Sequence, residues 1–150
     1  MNLKNVKHIY QLRNLGYPLN KILIVGSGIM ALFGLKKNDD LDLWVTDDVY
    51  KKMSKDKNLV PVKKHGRIFY ETKDGNIEAM NTLPCTKGRV EEYLKRAIIF
   101  YGYHFKSVDD LIAWKKCMGR PKDKAHIKIL EKYKKSKVVE HYLNIIQTLK

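Results

Sequence analysis

The segment Asp40-Leu41-Asp42-Leu43 constrains the fold of this 150-residue chain more than any other feature of its sequence. Apolar and polar residues alternate there, which is typical of a half-buried β-strand over residues 41–45. Because side chains two residues apart in a strand lie on the same face, Asp40 and Asp42 share one face and Leu41 and Leu43 lie on the other. Carboxylates held this close repel each other, and a divalent cation relieves the repulsion. A strand edge with two solvated acids is the alternative.

A glycine-containing turn lies upstream of these acids. The apolar run over residues 21–25 predicts a buried strand, and Gly26-Ser27-Gly28 predicts a tight turn into a short helix that stops near Gly34. Backbone N–H groups at such a turn can bind phosphate, and the hydroxyl of Ser27 adds a further donor. An ordinary strand-to-helix turn, in which glycine only permits the geometry, is the alternative.

The remaining chain divides into a mixed half and a helical half. Strands are predicted over 59–63, 67–71 and 76–80, and helices over 3–15, 47–56, 91–97, 107–118, 122–134 and from Ser136 onward. We therefore expect an α+β fold, with a small mixed β-sheet core and flanking helices over residues 1–105. A C-terminal helical region over residues 106–150 follows and packs on this core.

The turn, the short helix and the Asp-x-Asp strand together resemble the nucleotidyltransferase superfamily, the polymerase beta-like fold. The family signature is an apolar residue, Gly, Gly or Ser, a spacer, and then Asp-x-Asp or Asp-x-Glu between apolar residues. It reads here Val25-Gly26-Ser27, then residues 28–39, then Asp40-Leu41-Asp42-Leu43. Asp39 stands where the family usually has Ser. The resemblance therefore implies a nucleotidyltransferase core.

A third carboxylate on a later strand is implied by the same resemblance. Glu78 in Asn76-Ile77-Glu78-Ala79-Met80 is the candidate, and Glu71 is the fallback. Asp40, Asp42 and Glu78 would then be the catalytic residues and would bind two Mg²⁺ ions, with Mn²⁺ as the alternative metal. An exposed strand acid is the alternative interpretation of Glu78.

The C-terminal half carries a narrower resemblance. Asp110-Leu111-Ile112-Ala113-Trp114-Lys115, followed by Gly119-Arg120-Pro121-Lys122-Asp123, is similar to the helical region of nucleotidyltransferases of the abortive-infection toxin type. In that group a helical Lys and an Arg-x-Lys-Asp element face the active site, where cations neutralise triphosphate charge. A helix–turn–helix packing corner with solvated charges is the alternative. The nucleotide-binding residues that the two resemblances imply are Gly26, Ser27, Lys115, Arg120, Lys122 and Asp123.

The charge of the chain favours anionic partners. The formal net charge is +14, which attracts RNA, DNA or nucleotides. Of the 30 basic residues, 25 are Lys and five are Arg. This bias also fits a genome rich in A and T, and specific phosphate recognition relies more on Arg. The charge thus permits an anionic substrate without identifying one.

The sequence also bears on location. It has no apolar segment long enough to span a bilayer, and its N-terminus lacks the apolar stretch of a signal peptide. Cys85 and Cys117 lack metal-type spacing. We expect reduced thiols in a cytoplasmic protein that does not associate with membranes.

Histidines and aromatic residues carry less information. The histidines do not stand at metal-ligand spacing, so each is expected to be structural or exposed. Tyr101, Tyr103 and Phe105 could stack on bases, but their position beside Ile98 and Ile99 favours core packing.

Together these features predict a magnesium-dependent nucleotidyltransferase that moves a nucleoside monophosphate from an NTP such as ATP to an acceptor hydroxyl. RNA is the favoured acceptor. A protein is an alternative, because small family members act as toxins or antitoxins by modifying a partner, and a small molecule is a further one. A catalytically inactive member that binds nucleic acid or regulates a partner is an alternative. A dinucleotide-binding module is a further one, since Gly26-Ser27-Gly28-Ile29-Met30-Ala31 matches Gly-x-Gly-x-x-Ala and Asp47 follows the next strand. The absence of repeated strand–helix–strand units weighs against that module.

Overall fold

A computed structural model describes residues 1–149, and the predicted α+β class is confirmed. The strands are β1 (Ile22–Val25), β2 (Leu41–Val45), β3 (Leu59–Lys64), β4 (Arg67–Thr72), β5 (Ile77–Met80), β6 (Ile98–Phe100) and β7 (Tyr103–Phe105). The α-helices are α1 (Ile9–Asn14), α2 (Gly28–Leu32), α3 (Asp47–Met53), α4 (Val90–Lys95), α5 (Val108–Met118) and α6 (Pro121–Thr148). Short 3₁₀ turns lie at Leu3–Asn5 and Leu19–Lys21.

The chain divides into two units. The first covers residues 1–111 and contains the whole sheet together with α1 to α4. The second begins at Ile112 and contains most of α5 and all of α6. Lys150, the last residue of the predicted helical region, lies outside the described residues.

The seven strands form one mixed sheet in the order β3-β4-β5-β2-β1-β7-β6. Two parallel pairs, β2 with β5 and β1 with β7, lie among antiparallel neighbours. Strands β1 and β2 run antiparallel, with Val25 opposite Asp42. A dinucleotide-binding module of the kind considered above needs parallel strands joined through a helix. The connection from β1 through α2 to β2 does not have that geometry.

The two faces of the sheet differ in chemistry because side chains alternate along each strand. Ile24, Leu41 and Leu43 lie on one face and are at most 1% exposed. The start of α2 packs against that face, since a Cβ on Gly28 would contact the side chains of Ile24 and Leu41. On the opposite face Leu23, Val25 and Trp44 form a buried cluster with Val90 of α4. Asp42 and Glu78 share this second face.

The N-terminal segment differs from its prediction. One helix was expected over residues 3–15, but the structure has a 3₁₀ turn followed by α1. His8 adopts a left-handed conformation with φ of 70° between them, which an α-helix cannot contain. The apolar periodicity survives this break because Val6, Ile9 and Leu12 are all buried. Periodicity alone therefore did not reveal the interruption.

Two helix boundaries also differ from the prediction. Ser136 was expected to begin a last helix, but α6 is continuous across it, and its hydroxyl donates to the carbonyl oxygen of Tyr133. Residues 134–136 include no glycine or proline that would break the helix. Helix α3 begins at Asp47 as predicted, but it ends at Met53 rather than at residue 56. The hydroxyl of Thr46 donates to the carboxylate of Asp48.

The expectation of reduced thiols is wrong, because Cys85 and Cys117 are both disulfide-bonded. Disulfides are rare in reducing compartments, so the cysteines no longer support the cytoplasmic expectation. Within residues 1–149, no helix combines the length and the apolar character needed to cross a membrane.

Candidate active site

Three carboxylates converge at the middle of the sheet. Parallel pairing of β2 with β5 places Asp42 directly beside Glu78, and Asp40 immediately precedes β2. One carboxylate oxygen from each of the three residues lies within 4.8 Å of one from each of the others. Asp40 is exposed, whereas Asp42 and Glu78 are half-buried. The group is thus open to solvent on one side and supported by the sheet on the other.

A buried asparagine fixes the approach to Asp40. Asn38 is 1% exposed, and its Oδ1 accepts a hydrogen bond of 3.0 Å from the backbone N–H of Lys7. Its Nδ2 donates to the carbonyl oxygens of Lys7 and Asp40 at 3.1 and 3.0 Å. The amide side chain therefore ties the loop before β2 to the N-terminal segment and positions the backbone of Asp40.

The Gly26-Ser27 turn lies directly against Asp42. Gly26 has φ of +66°, and a Cβ added there would lie 2.7 Å from the Oδ2 of Asp42. Only glycine permits both this backbone conformation and this approach. Ser27 precedes α2, and its side chain makes no capping hydrogen bond to that helix. The turn and the carboxylates therefore form one contiguous surface.

Glu78 lies in a mixed electrostatic environment. Burial, together with the nearby carboxylates of Glu71 and Asp40, raises its pKa above the ordinary value, and Lys64 opposes the shift. The Nζ of Lys64 lies 3.4 Å from the Oε2 of Glu78 and 3.0 Å from the Oε2 of Glu71. The oxygen of Glu71 is buried, and its contact with Lys64 is an ion pair rather than a well-directed hydrogen bond. Geometry thus places Glu78 with the aspartates and Glu71 beside Lys64.

The predicted residues of the C-terminal half form a cluster of their own. Lys115 is 3% exposed, with its Nζ 2.9 Å from the Nδ1 of His126 and 3.6 Å from the Oδ1 of Asp123. Arg120 donates to both carboxylate oxygens of Asp123 at 2.7 and 3.0 Å, and its backbone N–H also donates to that side chain. These bonds cap α6 and lower the pKa of Asp123 to about 2. Lys122 is exposed.

This cluster has a structural role that requires no ligand. A fully buried aspartate that caps a helix and pairs with two cations satisfies its own charge. Burial lowers the pKa of Lys115, against the opposing effect of Asp123. Contact of these residues with a nucleotide stays a prediction. His126 was expected to be structural or exposed, and it pairs with Lys115 across two helices, a contact that no spacing in the sequence indicated.

Lys106 is a candidate that sequence reasoning missed. It follows β7, is 1% exposed, and its backbone N–H donates to the carbonyl oxygen of Ile24. Leu23 pairs with His104 across the parallel strands, so Lys106, two residues on, lies on the same face as Val25 and Asp42. Its Nζ lies 5.7 Å from the ring centroid of Tyr93. A buried Lys on the carboxylate face is chemically unusual, and one Lys among 25 gave no sequence signal.

Comparison of the chain with protein-family models, with curated proteins and with solved structures finds no match.

Proposed function

We propose that this chain is a magnesium-dependent nucleotidyltransferase that moves a nucleoside monophosphate from an NTP to an acceptor hydroxyl. The observation that carries the proposal is the convergence of Asp40, Asp42 and Glu78 beside the Gly26-Ser27 turn. Acidic clusters are common on protein surfaces, but this one spans two strands and abuts a turn that can bind phosphate.

The carboxylate oxygens of this cluster are suitable ligands for a divalent cation. Mg²⁺ prefers oxygen ligands and commonly uses a few carboxylates together with substrate phosphates. Oxygens within 4.8 Å of one another need only small side-chain movements to ligate a shared ion. The raised pKa of Glu78 reports repulsion from Glu71 and Asp40 in addition to burial. A cation bound to Asp40, Asp42 and Glu78 would relieve that repulsion.

The residues of the chain have distinct roles in the proposed reaction. Mg²⁺, when bound, supplies Lewis-acid neutralisation of the phosphate charge. The backbone N–H groups of the turn and the hydroxyl of Ser27 bind the triphosphate oxygens beside Asp42. Glu78, which lies beside Asp42 on the same face of the sheet, takes the proton from the acceptor hydroxyl. The acceptor oxygen then forms a bond to the α-phosphorus, and the bond to pyrophosphate breaks.

A second candidate function is a catalytically inactive subunit that binds nucleic acid. The net charge of +14 favours it, because that field attracts polyanions whether or not chemistry follows. This candidate requires no metal on the carboxylates. An enzyme would transfer nucleotide in a way that depends on these carboxylates, whereas the inactive subunit would transfer none.

The test compares transfer of labelled nucleotide in matched variants. The protein is incubated with Mg²⁺, each labelled NTP in turn and total cellular RNA or protein. We expect label in the acceptor with the wild type and with Asp39→Ala, an exposed acid outside the cluster, and none with Asp40→Ala/Asp42→Ala. Equal labelling by all three proteins would refute the assignment of these aspartates. No labelling together with no Mg²⁺-dependent binding of NTP would favour the inactive subunit.

A further inference from the structure

A cavity of about 640 Å³ lies between the N-terminal segment, α1 and the β6–β7 hairpin. Its volume is in the range of small-molecule sites. Four aromatic side chains line it, and two cationic residues stand beside them; the six are Lys4, Tyr10, Arg13, Phe100, Tyr101 and Tyr103. This composition differs from that of the carboxylate site.

Tyr101 presents its ring in an unusual way. The β6–β7 hairpin turns through Tyr101 and Gly102, both with positive φ, of 49° and 82°. Asn, Asp or Gly usually occupy such turns, and a bulky residue there is strained. Tyr101 is nonetheless 79% exposed and packs edge-on against Phe100, with ring centroids 4.7 Å apart. The expectation that Tyr101 packs in the core is therefore wrong, although Tyr103 and Phe105 are buried as expected.

Tyr103 contributes an unfulfilled hydrogen-bond donor to the same cavity. The residue is 4% exposed, and its hydroxyl is buried without a hydrogen-bond partner in the described chain. Burial raises its pKa, with Arg13 opposing the shift and Tyr10 adding to it, and both of these residues line the same cavity. A buried hydroxyl left without a partner costs free energy, so a water or a ligand atom is needed to complete it.

The features of this cavity match the parts of a nucleotide. Exposed rings of Tyr10 and Tyr101 offer stacking surfaces, the hydroxyl of Tyr103 offers a donor to a base acceptor, and Arg13 offers a phosphate partner. We propose that this cavity binds a nucleotide through its base and one phosphate. The nucleotide is either free or part of a single RNA strand, since the chemistry is shared.

This site is separate from the carboxylate cluster. Tyr103 shares the sheet face of Phe105 and Ile24, whereas Asp42 lies on the opposite face with Val25. The proposal therefore does not depend on catalysis. The proposal applies equally to an enzyme that binds its acceptor strand in this cavity and to an inactive RNA-binding subunit.

The test measures fluorescence anisotropy of a labelled short oligoadenylate RNA with the full chain in EDTA, so that no divalent ion occupies the carboxylates. Unlabelled 5′-AMP and an abasic strand of equal length serve as competitors. Tyr101→Asn removes one ring and places a residue that tolerates the turn, so its fold should be retained. Tyr10→Ala removes the second ring. Tyr142→Ala is the control, because Tyr142 lies on α6 outside the cavity and its exposure of 62% is similar to the 56% of Tyr10.

We expect the dissociation constant to rise about fivefold or more in Tyr101→Asn and Tyr10→Ala, and to change little in Tyr142→Ala. Tyr103→Phe should raise thermal stability and weaken RNA binding. A hydroxyl that only stabilised the fold would not give this combination. Competition by AMP would identify a free nucleotide as sufficient, and failure of AMP alone would identify a base within a strand; both uphold the site. Unchanged affinity in both ring variants, or equal competition by the abasic strand, would overturn it.

Discussion

Replacing Gly26 by alanine separates a backbone effect from an effect on the carboxylates. With φ of +66°, alanine at this position costs about 1–2 kcal/mol of stability. For a chain of this size that cost lowers Tm by about 3–6 °C. The added Cβ would also lie 2.7 Å from the Oδ2 of Asp42, below the 3.4 Å at which ordinary contact begins. Because this oxygen is the terminal atom of a side chain, we expect it to rotate away from the added Cβ.

That rotation removes Asp42 from the carboxylate cluster. Ligand sites need their groups placed to within about 0.5 Å, so we expect Gly26→Ala to weaken Mg²⁺ binding about tenfold or more. Gly16→Ala is the matched control, since Gly16 has φ of +82° and a Cβ there meets nothing within 4 Å. Both variants should lose stability in EDTA, because each places alanine in a left-handed backbone conformation.

The assay is thermal unfolding with and without Mg²⁺. At ten times the dissociation constant, Mg²⁺ stabilises the wild type by about 1.4 kcal/mol. We expect Gly16→Ala to retain this gain and Gly26→Ala to lose most of it. A full Mg²⁺-dependent gain in Gly26→Ala would refute the reasoning that the turn and Asp42 share one site.

Three further predictions concern residues around the two clusters. Because the pKa of Glu78 is raised in the folded protein, its ionisation costs stability as the pH rises above 4.5. Glu78→Gln should therefore raise Tm in EDTA at neutral pH, and this gain should vanish in acid. Thermal melts across a range of pH measure both effects. Asp123→Asn should cost about 2 kcal/mol in denaturant unfolding at neutral pH, and the difference should shrink from pH 4 to about pH 2 as the wild-type carboxylate protonates. Asn38→Ala should cost about 2–3 kcal/mol and weaken Mg²⁺ binding in titrations, because Asp40 loses its anchor. A pH-independent effect of either charge variant, or an unaltered Mg²⁺ affinity in Asn38→Ala, would contradict these assignments.

Local patterns predicted much of the sheet. The alternation at residues 41–45 predicted β2 with its observed bounds, and the helix predicted over 107–118 matches α5 to within one residue. Each of these elements carries its own signal in a short window. The strand β7 was not predicted, because a segment of three residues is too short to show the alternation that marks a strand.

The three carboxylates that converge were identifiable from the sequence, but their contacts were not. Convergence of the carboxylates follows from parallel pairing of β2 with β5, which one sequence does not reveal. The close approach of Gly26 to Asp42 likewise depends on register across β1 and β2. Burial of Lys106 and the pairing of His126 with Lys115 arise from packing, so residue type and spacing gave no warning of either.

The central claim is tested most directly by the position of the label in the donor. NTPs labelled at either the α- or the γ-phosphorus are incubated with Mg²⁺, the wild-type chain and cellular RNA or protein. Transfer of a nucleoside monophosphate predicts that the α-label enters the acceptor, that pyrophosphate carries the γ-label away, and that Asp40→Ala/Asp42→Ala transfers neither. Entry of the γ-label into the acceptor would contradict the account, and so would α-labelling that persists in the double variant.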